Sequence, residues 1–515
     1  MHLGAMEDKL VLALAVLVVV VVVSKLVSYA TRPRLNLPPG PWTLPVIGSI
    51  HHLVGGHSIQ RSMQRLAEKH GPLMKIWLGE VFAVVVSSPE AAQEIMKTHD
   101  VVFADRFVST TVGTITFGGS DLAWAPYGER WRQLRKLCTL ELLTAARVRA
   151  FRRIREEEVA RLVRDLAASA AAGEAVNLSD KMAKLVNDII VRCCVGGRSK
   201  HRDEFLDALR TALDQTTWLT VADIFPSSKL ARMLGAAPRK ALACRKKIEH
   251  ILEQIIQERR EIMDRSSGDG GEAAAGSECF VDVLLRLQKE GDTPIPITNE
   301  IIVVLLFDIV SGGSETSSIT LNWIMADLIQ TPRVMAKVCD EVRKTFQGKN
   351  NITEDDSVSG LTYLKMVTKE SLRMHCPVPL LGTRKCRETC KIMGYDIPKD
   401  TTIFVNAWAI CRDPKYWDDT DKFKPERFEN NNIDYKGNNF EFLPFGSGRR
   451  MCAGINLGMA NVELPLASIL YHFDWKLPNG MLPEDVDMQE VPGLLANRRT
   501  SLTLFPVTRV APRDT

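Results

Sequence analysis

The run Phe445-Gly446-Ser447-Gly448-Arg449-Arg450-Met451-Cys452-Ala453-Gly454 sets one cysteine in a glycine-rich loop, directly before an apolar helical stretch from Ile455 to Leu470. A thiolate at position 452 would sit near the positive end of that helix and beside two arginines, Arg449 and Arg450. Both effects favour the ionised sulfur. The glycines let backbone approach a broad, flat ligand closely and let N–H groups face the sulfur. A single axial thiolate ligand to a metal macrocycle needs these features. The plain alternative is a buried cysteine in a tight turn.

Phe445, Gly448, Arg450, Cys452 and Gly454 reproduce Phe-x-x-Gly-x-Arg-x-Cys-x-Gly, and the stretch resembles the haem-thiolate loop of the cytochrome P450 superfamily. The resemblance implies a mainly α fold with a small β lobe, the triangular haem-thiolate prism, and a single N-terminal transmembrane helix. It also implies haem b, iron protoporphyrin IX, with Cys452 as its axial thiolate. Three further motifs lie upstream.

Ile301 to Ile329 has the pattern of a long apolar helix, interrupted at Ser311-Gly312-Gly313-Ser314-Glu315-Thr316-Ser317-Ser318. Each glycine inside a helix costs about 1 kcal/mol relative to alanine. A pair suggests missing side chains that make room for substrate and oxygen. The stretch resembles the family's Ala/Gly-Gly-x-Asp/Glu-Thr-Thr/Ser motif. Thr316 would then hydrogen-bond the bound dioxygen and Glu315 would help bring protons to it.

Glu370 and Arg373 stand three apart on one helical face. With Phe423-Lys424-Pro425-Glu426-Arg427-Phe428 they resemble the family's Glu-x-x-Arg and Pro-Glu-Arg-Phe motifs. Glu370, Arg373 and Arg427 would form a buried charge cluster holding the cysteine loop. Trp131 and Arg135, at i and i+4, share a helix face. They resemble the family's Trp-x-x-x-Arg, which implies hydrogen bonds to a haem propionate. Arg450 and Arg384 are further candidates for that group, and Phe445 belongs to the cofactor loop. Arg132 and Lys136 suit an exposed basic face that could dock an acidic electron donor.

The chain has 515 residues, 45% hydrophobic and 25% charged, which is ordinary globular composition and enough for a sizeable core. That length predicts one very large domain or two modest ones. A net charge of +4 is too small to imply nucleic acid. The eleven cysteines form no Cys-x-x-Cys pair of pairs, which argues against structural zinc and for a reducing compartment. Cys386 and Cys390 read as two half-buried thiols on a strand and its turn.

Leu10 to Val23 is an unbroken run of fourteen apolar residues. As a helix it spans about 21 Å, and extension to Ala30 lets it cross a membrane if Lys25 snorkels to the surface. Glu7 and Asp8 precede it, while Lys25, Arg32 and Arg34 follow, which places the body in the cytoplasm. The rival is a cleaved signal peptide ending near Ser28-Tyr29-Ala30. Leu37-Pro38-Pro39-Gly40-Pro41 then reads as a stiff spacer. The expected organisation is an anchor over 1–30, a Pro-rich hinge over 31–48 and a catalytic domain over 49–515.

Met74–Gly79 and Phe82–Ser87 predict a hairpin; Leu143–Ala172 and Ala236–Arg265 predict helices; Ser266–Ser277 predicts a surface loop. Late strands are expected at Arg384–Met393, Thr402–Val405 and Thr500–Phe505. Pro465 puts the straightness of the helix after Cys452 in doubt.

The resemblance implies a monooxygenase that splits dioxygen, with electrons from a separate NADPH–cytochrome P450 reductase, at the endoplasmic reticulum membrane. Substrate-lining segments are expected at Phe107–Leu122, Leu306–Val310, Pro377–Leu381 and Val491–Ala496, with Gly312, Val378, Leu381 and Leu494 as pocket residues. Their apolar character suits a membrane-delivered ligand. Leu35–Pro45 and Tyr471–Pro478 resemble grass oxidases of sesquiterpenes and diterpenes. Alternatives are a monooxygenase of indole, benzoxazinoid or other aromatic metabolites, an oxygen-independent haem-thiolate isomerase or dehydratase, and a non-catalytic haem carrier.

Overall fold

The structure, a computed structural model, describes residues 35–55, 58–197, 202–214, 220–234, 236–268, 278–354, 358–478 and 480–512. The expected anchor over 1–30, the start of the hinge and residues 269–277 of the expected loop lie outside the described residues.

The alternating run near the start forms the predicted hairpin. Strand β1 (Leu73–Leu78) pairs antiparallel with β2 (Val81–Val86), Leu78 opposite Val81, and Gly79 turns between them at φ +60°. Strands β3 (Asp105–Arg106), β5 (Arg384–Lys385) and β8 (Thr402–Val405) complete a sheet ordered β1-β2-β8-β5-β3. The β2–β8 pair is parallel, and all four residues of β8 are buried, as expected of a strand covered on both faces. A second sheet joins β4 (Val176–Asn177), β10 (Thr503–Thr508) and β9 (Phe473–Lys476) in the order β4-β10-β9. Strands β6 (Cys390–Ile392) and β7 (Tyr395–Ile397) make a third.

Two late strands differ from expectation. Arg384–Met393 divides into β5 and β6, which belong to different sheets. Cys386 breaks the run by exchanging backbone bonds with Thr401 and Asp400. Its thiol is fully buried rather than half-buried, while Cys390 keeps some exposure. The last strand starts at Thr503, not Thr500. Asp487 draws Arg499 and Thr500 aside through bonds of 3.0 and 3.2 Å.

The helices that matter for the site are α1 (Glu129–Leu137), α2 (Arg152–Ala172), α3 (Leu178–Val195), α4 (Ala236–Gly268), α5 (Asn299–Gln330), α6 (Thr362–Met374) and α7 (Ile455–His472). The run predicted over Leu143–Ala172 splits into Ala145–Ala150 and α2. Helix α4 continues to Gly268, so the expected loop begins three residues late. Helix α5 packs on α3 and α7 through the main core. It is long and apolar enough to cross a membrane, yet 67% of its apolar window is buried inside the molecule, which marks a core helix.

Helix α5 runs unbroken through the Ser-Gly-Gly stretch where its apolar pattern is interrupted. Its hydroxyls bond back to the helix itself: Ser311 Oγ donates to Phe307 O (2.7 Å), Thr316 Oγ1 to Gly312 O (2.7 Å) and Thr320 Oγ1 to Thr316 O (2.8 Å). These bonds satisfy polar groups that would otherwise compete with the helix. Helix α7 likewise runs through Pro465 without a break.

Candidate active site

A cavity of about 770 Å³ lies between α5, α1, the start of α7 and the loops at 377–384, 444–454 and 491–501. Cys452, Phe445, Glu315, Thr316, Gly312, Trp131, Arg135, Arg384, Arg450, Val378, Leu381 and Leu494 all line it. Every expected catalytic, cofactor and pocket residue therefore faces one space.

The cysteine loop is built by tight turns. Cys452 N donates to Phe445 O (3.0 Å), Met451 N to Gly448 O (3.0 Å) and Gly446 N to Leu443 O (3.0 Å). Gly446 and Gly448 hold φ of +69° and +70°, the left-handed region that an L side chain rarely enters. A Cβ at Gly448 would also strike the Met96 carbonyl. Cys452 keeps accessible surface and lines the cavity.

Burial pushes the Cys452 thiol up, while the Gly454 N–H and the Arg135 guanidinium pull it down; the net direction is up. This corrects the expected role of Arg449 and Arg450. Arg449 turns outward to Asp100 (3.1 Å), and Arg450 Nε donates to Ala104 O (2.7 Å). A metal ion bound at the sulfur would settle the balance, since a coordinating thiol is deprotonated outright.

Four arginines converge on one flank. Arg135 Nη2 donates to Met451 O (2.6 Å), and Arg384 Nη2 to Ser447 O (2.9 Å). Arg450 sits over the Trp131 ring at 4.2 Å. Arg106, a residue the sequence reading did not single out, donates from Nε to Ala123 O (3.0 Å) and from Nη1 to Gly382 O. Burial lowers all four, Arg384 and Arg450 to about 10 and Arg106 well below its ordinary value, with neighbouring arginines adding to the effect on Arg106 and Arg450. Asp100 faces Arg384 at 3.6 Å. Asp121, near Arg106 and Arg450, is itself pushed up to about 7 by burial. A buried surplus of cations calls for an anionic partner. A flat macrocycle carrying two carboxylates and a metal that takes a thiolate would match this donor set, so the residues present fit haem. The Trp131 indole N–H bonds the Leu122 carbonyl at 2.9 Å, so its bond to a propionate would require exchange.

The paired glycines of α5 divide their work. An added Cβ at Gly312 would meet nothing within 4 Å, because that position faces the cavity. At Gly313 it would stand 2.9 Å from Ile190 Cδ1 of α3. Gly312 makes room for ligand; Gly313 lets two helices approach. The Thr316 hydroxyl donates to its own helix, which leaves its oxygen lone pairs to accept a bond from the cavity side.

Among the expected lining segments, Phe107–Leu122 contributes only Leu122, and Leu306–Val310 only Asp308 and Ile309. Leu306, Phe307 and Val310 are core residues. Leu380 packs against the β1–β2 hairpin core, whereas Leu381 lines the cavity at φ +51°. Asp308 lies within the expected Leu306–Val310 segment, though it was not among the named site residues. It accepts from Leu122 N (2.7 Å), and burial beside Asp121 raises it well above the usual carboxylate range.

Glu370, Arg373 and Arg427 do come together. Arg373 holds both Glu370 oxygens (2.8 and 3.0 Å) and the carbonyls of Cys411 and Thr420 (2.9 Å each); Arg427 Nε adds a bond to Glu370 Oε1 (2.9 Å). Arg373 and Arg427 lie over Trp417, which packs on Phe442 ahead of the cysteine loop. Arg132 is tied to Glu129 within α1.

Comparison with known proteins agrees with this geometry. A family profile described as Cytochrome P450 matches residues 38–504. The chain is 64% identical to ent-cassadiene hydroxylase of Oryza sativa subsp. japonica, over 98% of this chain and 99% of that protein. It is 58% identical to zealexin A1 synthase of Zea mays, with the same coverage, and 47% identical to premnaspirodiene oxygenase of Hyoscyamus muticus, over 91% of this chain and 92% of that one. A solved structure of a zebra fish cytochrome P450 with abiraterone superposes with TM-score 0.71 at 23% identity, covering 87% of this chain and 99% of that one. The chain belongs to the cytochrome P450 family and is a haem-thiolate monooxygenase.

Proposed function

We propose that this protein hydroxylates or further oxidises an apolar terpenoid olefin, a diterpene or sesquiterpene, with electrons from NADPH through a separate reductase at the endoplasmic reticulum membrane. One observation carries the reading: a single cavity lined by Cys452, an arginine cluster and the aliphatic side chains of Val378, Leu381, Val491, Leu494 and Leu495. The named activities of the relatives point to the same substrate class.

Cys452 would ligate the haem iron, and Arg106, Arg135, Arg384 and Arg450 would hold its propionates. When bound, haem supplies oxygen activation and insertion of one atom into the substrate, and a thiolate ligand favours O–O cleavage. The chain does the rest. Gly312 leaves room for substrate beside α5. Thr316 offers a hydroxyl and Glu315 a carboxylate to the cavity, and the two would pass protons inward without open access of water. The aliphatic residues orient the olefin and exclude water. Glu370, Arg373 and Arg427 hold the loop and touch no reactant. The N-terminal segment anchors the body, and exposed Trp42, Val46 and Val54 follow it closely in sequence.

The test incubates microsomes holding the protein and a reductase with ent-cassadiene, dolabradiene, premnaspirodiene and indole. An NADPH-dependent oxygenated terpenoid is the expected product. Turnover of indole alone, or product without NADPH, would overturn the proposal.

A further inference from the structure

Trp323 lies on α5 about two turns beyond Thr316 and is fully buried. Its ring stacks face to face on His375, with centroids 3.9 Å apart and planes 2° from parallel. The Arg498 guanidinium also lies over the ring, 5.6 Å from the centroid. His375 is fixed in turn: its Nε2 is 3.0 Å from Asp327 Oδ1, and Asp327 Oδ2 accepts from Ser371 Oγ at 2.8 Å. Asp327 and Ser371 are buried, so this chain joins α5 to α6 out of solvent.

The indole N–H points away from that chain. It donates to Ala496 O at 2.6 Å, while Ala496 N donates to Pro377 O at 3.0 Å. Both backbone groups of Ala496 are thus held by the molecule's interior. Ala496 ends the turn Val491–Leu495, whose residues line the cavity. The turn is closed by Val491 N on Asn497 O (2.8 Å) and by the bridge between Glu490 and Arg498. Arg498 Nη2 then reaches Asp487 O at 2.8 Å.

We propose that Trp323 is a positioning residue: clamped by His375 and Arg498, its N–H sets how far the 491–496 turn reaches into the cavity, and so which carbon of a bulky substrate faces the reacting oxygen. Trp323 touches no reactant itself. The inference places the wall of the site described under the proposed function, but it does not depend on the substrate being a terpenoid.

The experiment uses purified holoenzyme, wild type, Trp323→Phe and His375→Phe. The first variant keeps an aromatic ring and loses the N–H; the second keeps a stack and loses the bond to Asp327. Two probes are read. Amide hydrogen exchange is followed over residues 490–498, and Soret titration compares imidazole with the bulky azole clotrimazole. In Trp323→Phe the 490–498 peptide should exchange at least tenfold faster while α3 and α6 keep wild-type protection. Clotrimazole should bind at least fivefold more weakly, with imidazole within twofold of wild type. His375→Phe should shift both readouts the same way by less. Wild-type exchange and clotrimazole affinity in both variants would overturn the proposal. So would faster exchange spread evenly over the molecule, which marks a merely structural tryptophan. A 490–498 segment that already exchanges at free-chain rates in the wild type would overturn it whether or not either variant folds. No terpenoid enters these readouts, so a wrong substrate class leaves them standing.

Discussion

At the scale of the residue, adjacent glycines illustrate how one motif holds two physical tasks. Gly312→Ala adds a methyl to open cavity space and gains up to about 1 kcal/mol of helix propensity. The melting temperature should hold or rise, and the product formed per NADPH consumed should fall. Gly313→Val should do the reverse, losing about 1–3 kcal/mol through overpacking against Ile190, and Ile190→Ala should restore part of the loss. Thermal melts of the single and double variants decide this. Thr316→Ala should uncouple NADPH oxidation from product and release peroxide; unchanged coupling would remove the hydroxyl from the mechanism.

At the scale of the element, charge clusters fasten helices to loops. Glu370→Gln strands Arg373 and Arg427 without their carboxylate, at a cost of about 3–5 kcal/mol, read from denaturant midpoints. Glu426 makes a different tie. Its carboxylate takes bonds from Arg333 (2.8 Å), Tyr363 (2.8 Å) and Lys337 (3.3 Å), joining the helix Pro332–Thr345 to α6. The Arg333 bond, helped by Tyr363, lowers its pKa from 4.5 to about 2. A carboxyl depressed in the folded state stabilises above its unfolded pKa and loses that contribution as pH falls through the folded value. Wild-type melting temperature should therefore drop between pH 4.5 and about 2 more steeply than that of Glu426→Gln. Parallel curves would contradict the assignment.

These elements also show what a bare sequence can carry. The Cys452 loop, the Glu370–Arg373–Arg427 cluster and the β1–β2 hairpin are legible because spacing along the chain sets geometry directly: a tight turn, one helical face, an alternating strand. Arg106 and Asp308 escape such reading. Arg106 reaches the cavity only because β3 pairs with β5, 278 positions later in the register Arg106 to Arg384. Asp308 matters only because the 121–122 loop folds over it. The Trp323–His375 stack likewise joins two helices far apart in sequence. The glycine pair of α5 is legible as open space at Gly312, whereas the tight approach of Gly313 to Ile190 depends on how α3 packs and is not.

At the scale of the whole molecule, two orientations are possible for a body behind an N-terminal apolar run, and glycosylation separates them. Asn177-Leu178-Ser179 and Asn351-Ile352-Thr353 are acceptors only in the lumen. Asn177 also caps α3 by accepting from Asp180 N at 3.2 Å, a bond that a glycan on its amide would strain. Neither site should carry sugar in a plant or yeast membrane preparation, and the protein should resist carbonate extraction. Glycan on either would reverse the orientation. The central claim is an anionic sulfur at position 452 gripping haem iron beside a cavity ringed with arginine. The reduced carbon monoxide spectrum of the full-length protein reads it most directly. The account predicts a strongly red-shifted Soret band that is absent in Cys452→Ser; a wild-type band of the imidazole-ligated kind, or a red shift that survives Cys452→Ser, would contradict it.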